Sequence, residues 1–160
     1  MTAFALSALS ISRLDGVHPK LVSVVKRAIE LTSVDFLVVQ GVRSKEQALI
    51  NYGKGRTAAE LAAKHIDENY AQPSLAKVTW VANPLGTKHL IQADGYGHAV
   101  DLAPVAKGGG PDWSETKENY ARFDAIADAM KQAAVEQGVK IRCGTDFVTS
   151  KDRPHFELTA

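Results

Sequence analysis

The amino-acid sequence predicts an α+β fold with a small, mostly antiparallel sheet flanked by helices. Helical patterns occur early and late in the chain, and short strand-like runs with Gly- and Pro-rich loops lie between them. The chain has 160 residues, of which 45% are hydrophobic and 23% charged, so we expect residues 1–160 to form a single domain. The net charge is +1, with Lys and Arg scattered among acids, which argues against a nucleic-acid partner.

The N-terminal segment and the single cysteine exclude several classes of protein. No Lys or Arg precedes Arg13, so the segment lacks the positive start of a secretory signal peptide, and we expect Met1–Leu14 to dock on the core. No apolar run approaches the length of a membrane span, so we expect no stable membrane insertion. Cys143 cannot form an internal disulfide or a Cys-rich zinc site, and we interpret it as a packing residue near a strand end.

The first helix and the first strand are predicted from the spacing of apolar residues and from the positions of Pro and Gly. Apolar residues recur at helical spacing over Pro19–Leu31, and Pro suits the first position of that helix. The short apolar run Asp35–Gln40 contains β-branched residues and predicts a strand that ends at Gly41.

Two further helices are indicated by capping residues. Ser44 is placed to cap a helix that starts at Lys45, with Gln47 as in a capping box, and this helix should fade near Tyr52–Gly55. Thr57 is placed to cap a second helix, which we expect over residues 57–70.

The middle of the chain is expected to alternate between strands and loops. The runs Val78–Ala82 and His98–Leu102 have the composition and the alternation of strands. Between them, Asn83–Gly97 is rich in Gly, Asn, Pro and Asp and predicts a loop, and Lys107–Pro111 predicts another.

The last third contains the clearest helix. This helix is expected over Asn119–Gln137, with Gly138 as its C-terminal stop. Val139–Arg142 predicts a short strand, Thr145–Pro154 a polar loop, and His155–Leu158 a final strand.

Two of the five histidines are interpreted as structural or solvated, His18 at a helix start and His65 on a polar segment. A catalytic zinc ion needs about three protein ligands and an open position, which two imidazoles and a carboxylate such as Asp101 could supply. The remaining histidines lie beside acids in loops or strands: His89, His98 and His155.

Strand geometry separates two of these candidates. His98 and Asp101 are three residues apart and should point to opposite faces of a strand, so His89 is the better partner and His98 remains the rival. On the residues alone, ordinary hydrogen-bonded structural roles for these side chains also stay open.

The pattern H…G-x-A-x-D…D-x-P-H-F-E-L resembles the D-alanyl-D-alanine and L-alanyl-D-glutamate zinc peptidases, which are VanY-like enzymes of the Hedgehog/DD-peptidase fold. It runs from His89 through Gly97–Asp101 to Asp152–Leu158. The resemblance is strongest to the phage endolysin branch and covers nearly the whole chain, including three further stretches: Leu14–Pro19, Gln40–Gln47 and Phe123–Met130.

The resemblance implies a role for each matching position. Asp152 would be the catalytic acid/base that takes a proton from water and passes it to the leaving amine. Arg43 would be both catalytic and substrate-binding, donating hydrogen bonds to a substrate carboxylate or to the oxyanion, and Gln47 would also bind substrate. The implied cofactor is Zn²⁺, with three ligands: His89, Asp101 and His155.

The resemblance also implies a biological role. It indicates a monomeric endolysin that hydrolyses the L-Ala–D-Glu amide of peptidoglycan stem peptides and releases phage by host lysis. Such an enzyme is made in the host cytoplasm and reaches the periplasmic peptidoglycan after the membrane is permeabilised. Two alternatives are a D-Ala-D-Ala carboxypeptidase or dipeptidase, and a non-catalytic wall-binding metal module.

The sequence departs from the family pattern in two places. Residues Leu90–Tyr96 lengthen the gap between His89 and Asp101, and this insertion could shape or gate the cleft. Relatives often carry Trp-Gly-Gly-Asp-Trp where this chain has Cys143–Phe147.

Overall fold

The architecture was obtained as a computed structural model that describes residues 3–148 and 151–159. Five α-helices cover Ala8–Arg13 (α1), Pro19–Leu31 (α2), Lys45–Gly53 (α3), Ala58–Ala62 (α4) and Lys117–Gln137 (α5). Four strands cover Phe36–Gln40 (β1), Ala99–Pro104 (β2), Ile141–Cys143 (β3) and His155–Leu158 (β4). They form one antiparallel sheet in the order β1-β2-β4-β3, which confirms the predicted α+β class.

The sheet separates an apolar face from a polar one. Val100 and Leu102 on β2 are fully buried and belong to the same hydrophobic cluster as residues of α2 and α5. Asp101 lies between them, so its side chain points to the opposite face. On β4, Phe156 belongs to the apolar cluster and its neighbour His155 does not. The strands therefore present Asp101 and His155 together on the face away from the core.

Strand register brings these two residues level with each other. Asp101 pairs with His155 on β4 and with Gln40 at the end of β1, where the register shifts after Val38. A carboxylate from a central strand is thereby placed directly beside an imidazole and beside the chain that leaves β1.

The N-terminal segment covers the free edge of β1. Val38 donates its N–H to Ser10 Oγ at 3.0 Å, and its carbonyl accepts from Arg13 Nη1 at 2.9 Å. Leu14 is buried in the core cluster. The docking expected for residues 1–14 is therefore confirmed from Leu6, which packs against the core, to Leu14, and it satisfies edge groups of β1 that would otherwise be free to pair with another strand.

Four predicted elements are confirmed at or close to their expected bounds. Helix α3 ends at Gly53, and Ser44 Oγ accepts the N–H of Gln47 as expected, but the Gln47 side chain donates to Asn51 instead of completing the capping box. Gly138 ends α5 with φ of 66°, the left-handed conformation that favours Gly. Residues 149 and 150 of the predicted loop Thr145–Pro154 lie outside the described residues. The remaining two elements match their expected bounds: α2 and β4.

The helix expected over residues 57–70 is much shorter. Thr57 forms the capping box with Glu60, but α4 ends at Ala62 and the chain reverses at His65, whose φ is 60°. Leu61 is the one fully buried side chain of α4. A single anchor gives a longer helix little apolar surface to bury, which explains the early end.

The strand expected at Val78–Ala82 is absent, and these residues form an extended loop. Val78 is 54% exposed and Trp80 is 75% exposed. The loop is held by Arg56, whose Nη2 donates to the carbonyl of Thr79 at 2.9 Å. The prediction was wrong because strand propensity is realised only where a partner strand is available.

Among the described residues, no helix combines the length and the apolar character needed to cross a membrane.

Candidate metal centre and its cleft

Two imidazoles and a carboxylate meet on the polar face of the sheet. His89 Nε2 lies 3.2 Å from Asp101 Oδ1, and His155 Nδ1 lies 3.5 Å from the same oxygen. One ligand atom from each of the three residues lies within 4.8 Å of the other two. Both histidines are buried and Asp101 is nearly so. We call this group the His89–Asp101–His155 triad.

His89 is fixed by the chain that leaves β1. Its Nδ1 lies 2.8 Å from the carbonyl of Gly41, which only a protonated Nδ1 can satisfy. Its carbonyl accepts the N–H of Arg43 at 2.9 Å. Position 41 requires glycine because the backbone passes close to Arg13 there: a Cβ would lie 2.1 Å from the carbonyl oxygen of Arg13. The proton on Nδ1 leaves Nε2 with a lone pair that faces Asp101.

His155 is held by its Nε2 nitrogen, whereas His89 is held by its Nδ1 nitrogen. Its Nε2 lies 2.7 Å from Glu157 Oε1, two residues along β4 and on the same face. When the ring is neutral, this carboxylate keeps the proton on Nε2 and leaves Nδ1 free to face Asp101. With His155 neutral, the two histidines therefore direct their unprotonated nitrogens to one point.

The oxygen at that point is the observation that indicates a cation. Asp101 Oδ1 is buried and has no hydrogen-bond partner among the residues that the structure describes. A buried carboxylate oxygen without a partner is costly, whereas a cation would satisfy it together with both imidazole nitrogens. The donor set of two nitrogens and one oxygen fits a divalent transition metal with an open position.

Before any cation binds, the triad contains an ionised carboxylate beside imidazoles. Burial disfavours the charged form of Asp101, but the two imidazoles outweigh it and hold the pKa of this carboxyl well below its usual value. Burial also disfavours protonated His155, yet contacts with Asp101 and Glu157 raise its pKa to about 9. Before any cation binds, His155 is therefore protonated on both ring nitrogens, and positively charged, at neutral pH.

Metal affinity is expected to rise with pH for this reason. A metal binds the neutral imidazole, so below pH 9 it must displace the proton of His155. The apparent affinity should increase by about tenfold per pH unit between about pH 6 and about pH 8, with one proton released per ion. Competition with a chelating dye measures this slope, and a flat profile would contradict the expected proton displacement.

Asp152 lies at the cleft beside the triad, three residues before His155. Burial and the nearby charge of Asp101 raise its pKa above the usual value. Its backbone is clamped to Gly144: the N–H of Asp152 donates to the carbonyl of Gly144 at 3.0 Å. The carbonyl of Asp152 then accepts the N–H of His155 at 3.0 Å. One backbone turn thus fixes both the acid and the last member of the triad.

Gly144→Ala is expected to disturb this turn. A Cβ on Gly144 would lie 1.7 Å from the carbonyl oxygen of Asp152, so the backbone must shift. We expect the free energy of unfolding to fall by about 1–3 kcal/mol, as for other overpacked sites, and peptide hydrolysis to fall with it. Gly108→Ala is the matched control, because its Cβ meets nothing within 4 Å. Equal unfolding midpoints in urea for the two variants would contradict the clamp.

Arg43 lines the same cleft and is held in place by Gln40. Its Nε and Nη2 donate to Gln40 Oε1 at 3.2 and 2.6 Å, which leaves Nη1 available. Gln47, the second predicted substrate-binding residue, is exposed and donates to Asn51 Oδ1 at 2.8 Å. Asn51 lines the cleft and Gln47 does not.

The rival histidine is held elsewhere. His98 Nε2 lies 2.7 Å from Asp94 Oδ2, and the same oxygen is 3.7 Å from His18 Nε2. Asp94 belongs to the insertion Leu90–Tyr96, none of whose residues lines the cleft. The insertion folds as a tight turn, with Gln92 donating its N–H to the carbonyl of Tyr96 at 2.8 Å.

The cleft has a volume of about 630 Å³ and one wall that the sequence did not indicate. Lys88 and Glu157 line it next to the triad, and Phe147 lines it near His155, with 6.0 Å between the two ring centroids. The loop mistaken for a strand lines it with four residues, Val78, Thr79, Val81 and Ala82, and the next two residues, Asn83 and Pro84, continue this wall.

Cys143 takes no part in the site. It is buried in the core cluster, and burial raises the pKa of its thiol to about 11, so the nucleophilic thiolate is scarce at neutral pH.

Comparison with known proteins shows what this chain is similar to. The family described as phage L-alanyl-D-glutamate peptidase matches residues 2–158. The L-alanyl-D-glutamate peptidase of Escherichia phage T5 is 29% identical over 150 residues, covering 94% of this chain and 86% of the relative. The crystal structure of the L-Ala D-Glu endopeptidase ChiX of Serratia marcescens superposes with a TM-score of 0.62 at 27% identity. That match covers 98% of this chain and 91% of ChiX.

Proposed function

This chain belongs to the phage L-alanyl-D-glutamate peptidase family, and we propose that it is a zinc-dependent endopeptidase that cleaves the L-Ala–D-Glu amide of peptidoglycan stem peptides. The observation that carries the proposal is the His89–Asp101–His155 triad, with its buried Asp101 oxygen left for a cation. The two similar peptidases, whose names give this bond, favour it over the bond between two D-Ala residues.

Zinc fits the donor set better than the other common divalent cations. Two imidazole nitrogens and one carboxylate oxygen are a frequent protein set for catalytic zinc, whereas calcium and magnesium prefer oxygen ligands alone. A bound zinc ion would act as a Lewis acid that polarises a carbonyl and lowers the pKa of a water molecule. The proposed ligand atoms are His89 Nε2, Asp101 Oδ1 and His155 Nδ1.

Asp152 is the proposed general acid/base. Its carboxyl has a raised pKa, which suits a group that must accept a proton from water and return it to the leaving amine. The amine must leave protonated, because an amide anion is a very poor leaving group. The backbone clamp to Gly144 holds Asp152 against the cleft for this transfer.

Arg43 is the proposed binding group for negative charge. With Nε and Nη2 donated to Gln40, its remaining Nη1 can donate to the developing oxyanion or to a substrate carboxylate. Stem peptides offer such a carboxylate at D-Glu. In this proposal Gln47 acts indirectly, by fixing the cleft residue Asn51.

We further propose that the whole of residues 1–160 is one monomeric catalytic domain of an endolysin. In this role it is made in the host cytoplasm and reaches the periplasmic peptidoglycan once the membrane is permeabilised. The cleft of about 630 Å³, with residues 78–84 along one side, is the proposed binding site for the stem peptide.

Mass spectrometry of purified muropeptides tests the bond and the cofactor together. Digestion with the zinc-loaded protein should create new N-terminal D-Glu. The product should vanish after treatment with a chelator and return when zinc is added. Release of terminal D-Ala instead would identify a carboxypeptidase, and no cleavage by folded, zinc-loaded protein would indicate a non-catalytic metal module.

A further inference from the structure

Glu157 is a buried carboxylate that the proposed reaction does not use. It is 9% exposed, lies in the centre of β4, and pairs across the sheet with Ala99 and Arg142. Its Oε1 lies 2.7 Å from His155 Nε2. Burial of an acid at this position is costly, so its contacts must offset that cost.

A lysine holds the other oxygen of this carboxylate. Lys88 Nζ lies 3.4 Å from Glu157 Oε2 and donates to the carbonyl of Leu158 at 2.7 Å. Lys88 directly precedes His89 in the chain. The ion pair therefore ties the loop that carries one triad histidine to the strand that carries the other.

We propose that Glu157, braced by Lys88, is a positioning residue that fixes the tautomer and the orientation of His155 for zinc binding. This inference rests on the proposed function, because it assumes that the triad holds zinc. Glu157 acts through His155 and does not touch the ion. A carboxylate on the far nitrogen of a metal-bound imidazole keeps the proton there and strengthens the ligand.

The geometry distinguishes this role from ordinary core stabilisation. An ion pair that merely stabilised the strand would affect unfolding but not the affinity for zinc. Glu157 instead makes its shortest contact with the ring nitrogen that faces away from Asp101, and its second oxygen is turned to Lys88. The proposal therefore concerns zinc affinity and the position of one proton.

The test measures zinc affinity without any substrate, by competition with a chelating dye. Glu157→Ala should bind zinc about 10–100-fold more weakly than the wild type, the usual loss for a partner of a metal ligand. Glu157→Gln should lose less, because its amide oxygen still accepts the Nε2 proton. Glu136→Gln is the matched control: it weakens an exposed ion pair with Arg27, 2.8 Å long and outside the cleft, and should leave the affinity unchanged.

The proton itself provides a second measurement that needs no variant. The NMR spectrum of the zinc-loaded wild type, with ¹⁵N-labelled histidine, should show the His155 ring proton on Nε2. A proton on Nδ1 would overturn the inference, as would unchanged zinc affinity in folded Glu157→Ala. Failure of the wild type to bind zinc at all would overturn the proposed zinc site as well. Zinc binding without peptide cleavage would overturn the proposed reaction alone.

Discussion

Replacing Asp152 with Asn is expected to lower kcat for peptidoglycan cleavage by about 10²–10⁴-fold, the range typical of a lost general acid/base. The amide keeps the shape of the side chain but can neither accept the proton of water nor deliver it to the leaving amine. Asp152 is outside the triad, so the variant should bind zinc as tightly as the wild type. Cleavage rates at saturating substrate and zinc titration measure the two expectations separately.

The control for this variant lies on the same connection between β3 and β4. Asp146 is exposed and pairs with Lys131 at 3.0 Å, and it does not line the cleft. Asp146→Asn should therefore keep nearly full activity. An Asp152→Asn enzyme that retained more than about a tenth of the wild-type kcat would contradict the assigned role. Loss of zinc from that variant would instead make Asp152 a ligand.

Replacing His89 with Ala is expected to abolish zinc binding and all cleavage. The change removes one of the three proposed ligand atoms. The loss of zinc affinity should therefore exceed the roughly 10–100-fold loss that follows when a hydrogen-bond partner of a ligand is removed. Because His89 is buried, Ala also leaves a cavity. His89→Gln fills more of that space and can still donate to the carbonyl of Gly41, so it separates ligand loss from destabilisation.

His98→Ala is the matched variant for the ligand assignment. His98 contacts Asp94 in the insertion, so its removal should leave zinc stoichiometry unchanged. Equilibrium dialysis followed by elemental analysis compares the variants directly. Zinc lost from His98→Ala but retained by His89→Ala would reverse the assignment of the first ligand.

The sequence predicted those elements whose patterns are self-contained. Helices α2 and α5 carry their own apolar periodicity and end signals, and β4 was located to the residue. The expectation that His98 and Asp101 point apart agrees with the structure, although His98 directly precedes β2 instead of lying in it, and contacts Asp94. The residue types of the triad were also readable, since metal chemistry restricts them to a few side chains.

The features that failed depend on neighbours distant in sequence. Val78–Ala82 has strand composition, but none of the described strands pairs with it, and a buried Arg56 holds it as a cleft wall instead. The requirement for Gly144 arises from its contact with Asp152, eight residues later. The sequence carries one signal of this requirement, because the family motif Trp-Gly-Gly-Asp-Trp also has a glycine at this position.

The residues that orient the two triad histidines were the hardest to predict from the sequence. Gly41 and Glu157 orient the two histidines through contacts that form only when β1, β2 and β4 are assembled. A glycine after a strand and an acid within one have many ordinary explanations, so sequence alone could not select them. The fold was therefore more predictable than the means by which it directs two imidazole nitrogens toward one carboxylate oxygen.

The most direct test of the central claim is a crystal structure of the zinc-soaked protein with anomalous data collected at the zinc edge. The account predicts one strong peak about 2.0–2.2 Å from three atoms: His89 Nε2, Asp101 Oδ1 and His155 Nδ1. A peak at His98 and Asp94, or no peak at the triad in crystals that contain zinc, would contradict it.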